Sequence, residues 1–256
     1  MPKFFVVSDI HGFYDEMIEA LNEAGFNPDD ENHWLITCGD HFDRGNQALQ
    51  VMKYLQGLPR KVLIRGNHEE LFEDLCERGY PYGYDNANGT ISTVWQLGLS
   101  NDFQECCDMA FHRTRQLFDK MVNYFETQKY IFVHSWIPVI NKDGLSAHYT
   151  RNRKFEWNPD WRSAHFSEWE KARWGNPFDM VEQGLNQTGK IIVFGHWHSS
   201  TGWAKSEGRS EFGEDAKFEP YCGDGFISID ACTAHSGQVN VFVIEDDFLE
   251  DAYGNN

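Results

Sequence analysis

Five short apolar runs in this chain each stop at an acid, an asparagine or a histidine, and that recurrence restricts the folds open to it. Residues 4–7 lead to Asp9 and His11, residues 34–38 to Asp40 and Asp43, and residues 61–65 to Asn67 and His68. Residues 130–133 lead to His134, and residues 191–194 to His196 and His198. The runs are rich in β-branched and aromatic residues and end at Gly or polar clusters, so they predict buried strands. Met17, Ile18, Leu21 and Ala24 recur at helical spacing, as do Leu49, Met52 and Leu55, which makes the first third of the chain β-α-β-α-β. Open α/β sheets gather their ligands at the carboxyl ends of such strands. One histidine after an apolar run is ordinarily a satisfied or exposed residue; five strand ends carrying oxygen and nitrogen donors point to a site for divalent cations and a phosphate.

The rest of the chain narrows the setting. At 256 residues it holds one sizeable core, with no Pro-rich linker and no repeat of solenoid period, so a single domain over residues 1–256 is expected. Lys and Arg number 22 against 40 acids, a formal charge of −18, which argues against nucleic acid or an anionic membrane as partner. No apolar run reaches the roughly 20 residues of a membrane span, and the amino terminus reads as a strand rather than a signal peptide. The six cysteines show no zinc spacing and include the adjacent Cys106 and Cys107, which suits a reducing cytoplasm.

The order D-x-H-G (Asp9 to Gly12), G-D-x-x-D-R-G (Gly39 to Gly45), G-N-H-E (Gly66 to Glu69), V-H (Val133, His134) and G-H (Gly195, His196) resembles the phosphoprotein phosphatase family of the calcineurin-like metallophosphoesterases. The likeness is greatest to its compact bacterial and phage-type members and extends over residues 4–244. Asn88-Gly89-Thr90 and Ile227-Ser228-Ile229-Asp230 resemble weaker landmarks of that family. The resemblance implies a sandwich of two mixed β-sheets flanked by α-helices. It also implies one metal on Asp9 and His11, a second on Asn67, His134 and His196, and Asp40 bridging both. Manganese is expected, with iron or zinc also compatible with mixed oxygen and nitrogen ligands. Two cations about 3.5 to 4 Å apart can share a carboxylate, grip phosphate oxygens and lower the pKa of a bridging water, so attack on phosphorus is direct.

His68 takes the general-acid role in this resemblance, with Asp43 orienting its ring and Arg44 and Asn67 on the phosphate. A helix cap is the plain alternative for Asp43, as is an exposed turn residue for Arg44. A second phosphate-gripping arginine is expected after the His134 strand; Arg151, Arg153, Arg162 and Arg173 are available, and Arg173 is preferred. Trp136 stands where the family carries small residues and is expected to line the site entrance. His198 is either a further metal ligand or a neighbour at the rim, the latter favoured. Residues 79–125 and 148–176, the second dense in tryptophan, are expected to form cap-like insertions. The expected reaction is hydrolysis of phosphomonoesters, foremost phosphoserine or phosphothreonine in protein, with small aryl phosphates also accepted. Symmetrical dinucleoside tetraphosphatase and a broader metallophosphodiesterase are the alternatives, because loops rather than the shared core select the substrate.

Overall fold

The computed structural model describes residues 1–142 and 154–253, and side chains up to residue 249. The strands are β1 (Lys3–Val7), β2 (His33–Cys38), β3 (Lys61–Ile64), β4 (Tyr124–Thr127), β5 (Tyr130–Val133) and β6 (Ile140–Asn141). They continue as β7 (Phe155–Glu156), β8 (Ile191–His198), β9 (Tyr221–Gly223), β10 (Phe226–Asp230), β11 (Phe242–Glu245) and β12 (Phe248–Tyr253). One sheet has the order β11-β1-β2-β3 and the other β12-β4-β5-β8-β10-β9, with β6 and β7 forming a separate ribbon. Both large sheets are mixed: β1, β2 and β3 run parallel, as do β5, β8 and β10, and the flanking strands are antiparallel.

The period-two alternation of β1 shows why its run is apolar throughout. Phe4 and Val6 face the other sheet, joining Ile36, Val62, Phe125, Phe132 and Val193 in the core between the sheets. Phe5 and Val7 face the opposite way, into a core shared with α1 (Tyr14–Glu23), α2 (Ala48–Gly57) and α3 (Asn67–Arg78). A strand buried on both faces has no polar face to alternate.

Residues 79–125 do not stand apart from this layer. They form α4 (Gly83–Asn88), α5 (Thr90–Gly98) and α6 (Phe103–Phe118) and then enter β4. Val94, Leu97, Cys106, Cys107, Ala110 and Leu117 complete the helix-side core of the first sheet. Beyond the second sheet lie α7 (Phe166–Arg173) and α8 (Pro177–Glu182), whose Trp169 and Phe178 pack with Trp161, Tyr124 and Phe194. Two further helices, α9 (Ser199–Glu207) and α10 (Thr233–Ser236), follow β8 and β10. The result is a helix, sheet, sheet, helix sandwich. Among the described residues no helix is long and apolar enough to cross a membrane.

Candidate metal centre

Parallel β1, β2 and β3 end at one edge of their sheet, and β5 and β8 bring their ends to the same place. Backbone bonds tie these ends together: Asp9 N–H donates to Gly39 O at 3.2 Å, His11 N–H to Asp40 O at 2.9 Å, and Gly195 N–H to His134 O at 2.8 Å. Gly195 is required by this closeness, because a Cβ there would stand 1.6 Å from Ser8 Oγ and 2.0 Å from Asp9 Oδ2. Asp9, His11, Asp40, Asp43, Arg44 and His196 all adopt positive φ, between 49° and 70°. A residue other than glycine in that region costs of order 1–3 kcal/mol, and such outliers gather at functional sites.

The side chains so placed converge. Ligand atoms of His11, Asp40 and His68 lie within 4.8 Å of one another, as do those of Asp40, His134 and His196, so Asp40 is common to both groups. His134 Nδ1 donates to the Cys38 carbonyl at 2.8 Å, which leaves Nε2 directed inward. That nitrogen stands 2.7 Å from Asn67 Oδ1, 3.2 Å from His196 Nδ1 and 3.4 Å from an Asp40 oxygen. His11 likewise donates through Nδ1 to the Phe42 carbonyl at 3.0 Å and turns Nε2 toward Asp40.

Nitrogen and oxygen atoms gathered this closely offer a cation several ligands at once, and the charges agree. Burial, then the neighbouring carboxylates of Asp230 and Asp40, pushes Asp9 well above the ordinary carboxylate range. Positive charge among these buried acids removes that penalty. The two Asp40-centred groups, with Asn67 Oδ1 beside the second, therefore fit divalent metal ions, while Asp9 lies in neither group and its Oδ2 accepts from His196 N–H at 2.9 Å.

Electrostatics separate His68 from His11 and His196. Burial, reinforced for His11 by Arg44 and for His196 by His134, pushes both well below the usual imidazole value and keeps them neutral, the form that binds a cation. Burial also acts downward on His68, but the charges of Asp40 and Asp43 outweigh it and hold its ring above the ordinary value. His68 Nδ1 donates to Asp43 Oδ2 at 2.7 Å, and Arg44 Nη2 stands 3.4 Å from His68 Nε2. Asp43 caps no helix: its carboxylate also accepts from Thr90 Oγ1 at 2.8 Å and Thr93 Oγ1 at 2.7 Å. Arg44 is exposed, so its fork is open to a substrate.

Other expectations land elsewhere. Trp136 does not line the entrance; it is 1% exposed and packs edge-on to Phe194 in the outer core, because the chain bends at His134 and Ser135, past the end of β5, and carries it under the second sheet. Arg173 is bonded to Glu70 and, at 2.8 Å, to Asn123, and neither partner belongs to the cluster. Arg162 pairs with Glu126 at 2.6 Å, while Arg151 and Arg153 lie outside the described residues, as do residues 148–150 of the second insertion. Trp161 and Trp169 are core, whereas Trp174 is exposed, donates to Glu70 at 3.0 Å and stands edge-on 6.5 Å from the His196 ring. His198 bonds Glu211 at 2.9 Å and belongs to neither ligand group. Burial acts to lower it, yet Cys232, Asp230 and Glu211 more than offset that and raise it to about 9.

Several residues here were not singled out by sequence reasoning. Thr90 and Thr93 orient Asp43, and only the Asn88-Gly89-Thr90 landmark hinted at them. Ser8 donates to Asp9, and Asp230, the end of the other landmark, is the carboxylate crowding Asp9.

The calcineurin-like phosphoesterase family profile matches residues 2–200. The symmetrical bis(5'-nucleosyl)-tetraphosphatase of Salmonella typhimurium (strain LT2) is 39% identical over 66 residues, 25% of this chain and 23% of that protein. In structure, a cold-active protein-tyrosine phosphatase of a psychrophilic Shewanella superposes with a TM-score of 0.55 at 13% identity, over 96% of this chain and 76% of the other. A Saccharomyces cerevisiae protein serine/threonine phosphatase gives 0.51 at 14% identity, over 98% and 82%. At such identities the two structures speak for the fold.

Proposed function

This chain belongs to the calcineurin-like phosphoesterase family and is a phosphoester hydrolase, and from that premise we propose that it removes phosphate from phosphomonoesters, foremost phosphoserine or phosphothreonine in protein. The observation that carries the reading is the pairing of the Asp40-centred ligand groups with an adjoining Asp43–His68–Arg44 set, which meets them at His68. Bound divalent ions supply Lewis-acid polarisation of the phosphoryl group and lower the pKa of water to near neutrality. The chain's own groups do the rest. Arg44 holds nonbridging phosphate oxygens through its planar fork. His68, whose protonated form Asp40 and Asp43 favour, gives the proton on Nε2 to the leaving oxygen as its bond to phosphorus breaks. Thr90 and Thr93 keep Asp43 from rotating away from His68, which preserves the tautomer.

The charge of −18 disfavours a ligand carrying four phosphates more than a single phosphate on a peptide, which favours phosphoprotein. A dinucleoside tetraphosphate is the second reading, supported by the 66-residue similarity and by exposed Trp174, whose indole offers an aromatic face near His196. Turnover with added manganese on a phosphoserine peptide, diadenosine tetraphosphate and bis-p-nitrophenyl phosphate decides among them. A kcat/KM for the tetraphosphate well above that for the peptide would overturn the first reading, and preference for the diester would overturn both.

A further inference from the structure

The strand end that carries Asp40 and the helix start that carries Asn67 and His68 are joined by a buried polar relay that the proposed chemistry does not use. Glu69 Oε1 accepts from the backbone N–H of His41 at 3.0 Å and from His41 Nδ1 at 3.0 Å. Its Oε2 accepts from Asp40 N–H at 3.1 Å and Gly66 N–H at 2.7 Å. On the far side of the ring, His41 Nε2 meets Thr37 Oγ1 at 2.6 Å. Thr37 and His41 are wholly buried and Glu69 is 1% exposed. With Nδ1–H donating to the carboxylate, Nε2 accepts from the threonine hydroxyl, so the ring is satisfied without water.

Glu69 stands at the third position of α3, where a carboxylate reaching back to the helix start is a familiar cap. Such caps ordinarily sit in water. This one is buried beside Asp40, and His41 is its one side-chain donor among the described residues. Three backbone N–H groups and the ring hold the carboxylate together, so losing the ring leaves buried Oε1 with one donor and loosens the carboxylate. The tolerance is small: a Cβ on Gly66 would stand 2.2 Å from Asp40 Oδ1 and 2.5 Å from Asp40 N. His68 N–H also donates to Asp40 Oδ1 at 3.0 Å, so a shift of Glu69 moves Asp40 against both Asn67 and His68.

We infer that His41 is a positioning residue, its imidazole locking Glu69 so that Asp40, Asn67 and His68 keep the spacing at which two divalent cations bind. The inference rests on the two-cation reading of the site. His41→Phe keeps the ring's bulk and removes both nitrogens. His41→Asn returns an amide donor at the Nδ1 position, facing Glu69, whereas the longer His41→Gln carries its amide toward Thr37. Loss of a partner that orients metal ligands lowers metal affinity about 10- to 100-fold.

The test is calorimetric titration of the metal-free proteins with manganese(II), alongside their thermal unfolding. The wild type is expected to take up two ions, His41→Phe to bind them about 10- to 100-fold more weakly, His41→Asn to recover most of that loss and His41→Gln little of it. Wild-type affinity in His41→Phe, with only the unfolding temperature lowered, would make the ring a space filler and overturn the inference. Equal affinities for the Asn and Gln variants would overturn it too, and that pair carries the test if His41→Phe does not fold. A wild type that binds no manganese would instead sink the two-cation reading, and the relay's role with it.

Discussion

His68 donates through Nδ1 to Asp43 Oδ2 at 2.7 Å, while the two threonines of α5 bond the same carboxylate and His68 Nε2 faces Arg44 Nη2 at 3.4 Å. A proton held this way is available to a leaving group but depends on the carboxylate behind it. His68→Asn is expected to lower kcat by about 10² to 10⁴ on alkyl phosphates and by less on p-nitrophenyl phosphate, whose leaving group needs little protonation. Metal content should stay at the wild-type value. Stripped metal would instead place His68 among the ligands, since its Nε2 lies 3.8 Å from Asp40.

The same pair sets a pH dependence. Burial acts to lower His68, and Asp40 and Asp43 raise it above the usual imidazole value. Activity that needs the protonated ring is present below that raised pKa and lost as pH rises through it. Asp43→Asn removes one of the raising charges, so the alkaline limb of kcat/KM should move to lower pH. An unmoved limb would assign it to another group.

Asp40→Asn should cost most of the bound metal and nearly all hydrolysis, because a neutral amide cannot serve two dications as a carboxylate does. Metal analysis of the purified variant checks this. Full metal content with ordinary turnover would dispose of Asp40 as a shared ligand.

His196 and His198 alternate along β8, yet their partners differ: His196 Nδ1 faces His134, and His198 is bonded to Glu211. His196→Ala is expected to lose a cation. His198→Ala should keep both and chiefly alter KM. Loss of a cation from His198→Ala would enlarge the ligand set and favour the phosphodiesterase reading.

Arg173 ties α7 to Glu70 of α3, and Glu70 also receives the Trp174 indole. Arg173→Met should lower stability by about 2 to 3 kcal/mol, less than the roughly 3 to 5 kcal/mol of a fully buried pair because Glu70 is partly exposed. Denaturant unfolding measures this. If Arg173 grips phosphate, the variant should also raise KM for every phosphoester tested, whereas a purely structural role leaves the stability loss alone.

Much of this architecture was readable before any coordinates, because strands buried on both faces must be apolar along their whole length. The runs before Asp9, Asp40, Asn67, His134 and His196 could hardly be anything else, and a polar residue at such a run's end is conspicuous. The motif order then supplied the candidate donors. Trp136 misled for a related reason: being large and two residues past His134 places a residue in the chain but not on a face, and the bend at His134 and Ser135, beyond the end of β5, turned it into the core.

What the residues alone determined is therefore the kind of chemistry, since ligand type and strand-end position are local properties of the chain. What only the tertiary structure decided is which groups work together. Thr90 and Thr93 lie 47 and 50 residues from Asp43, Glu69 reaches back 28 residues to His41, and Asp230 comes from the far end of the chain to crowd Asp9. The positive φ of Asp9, His11, Asp40 and His196 is likewise invisible in a sequence. Local propensity disfavours those conformations, and they persist because packing and hydrogen bonds from distant segments overrule it.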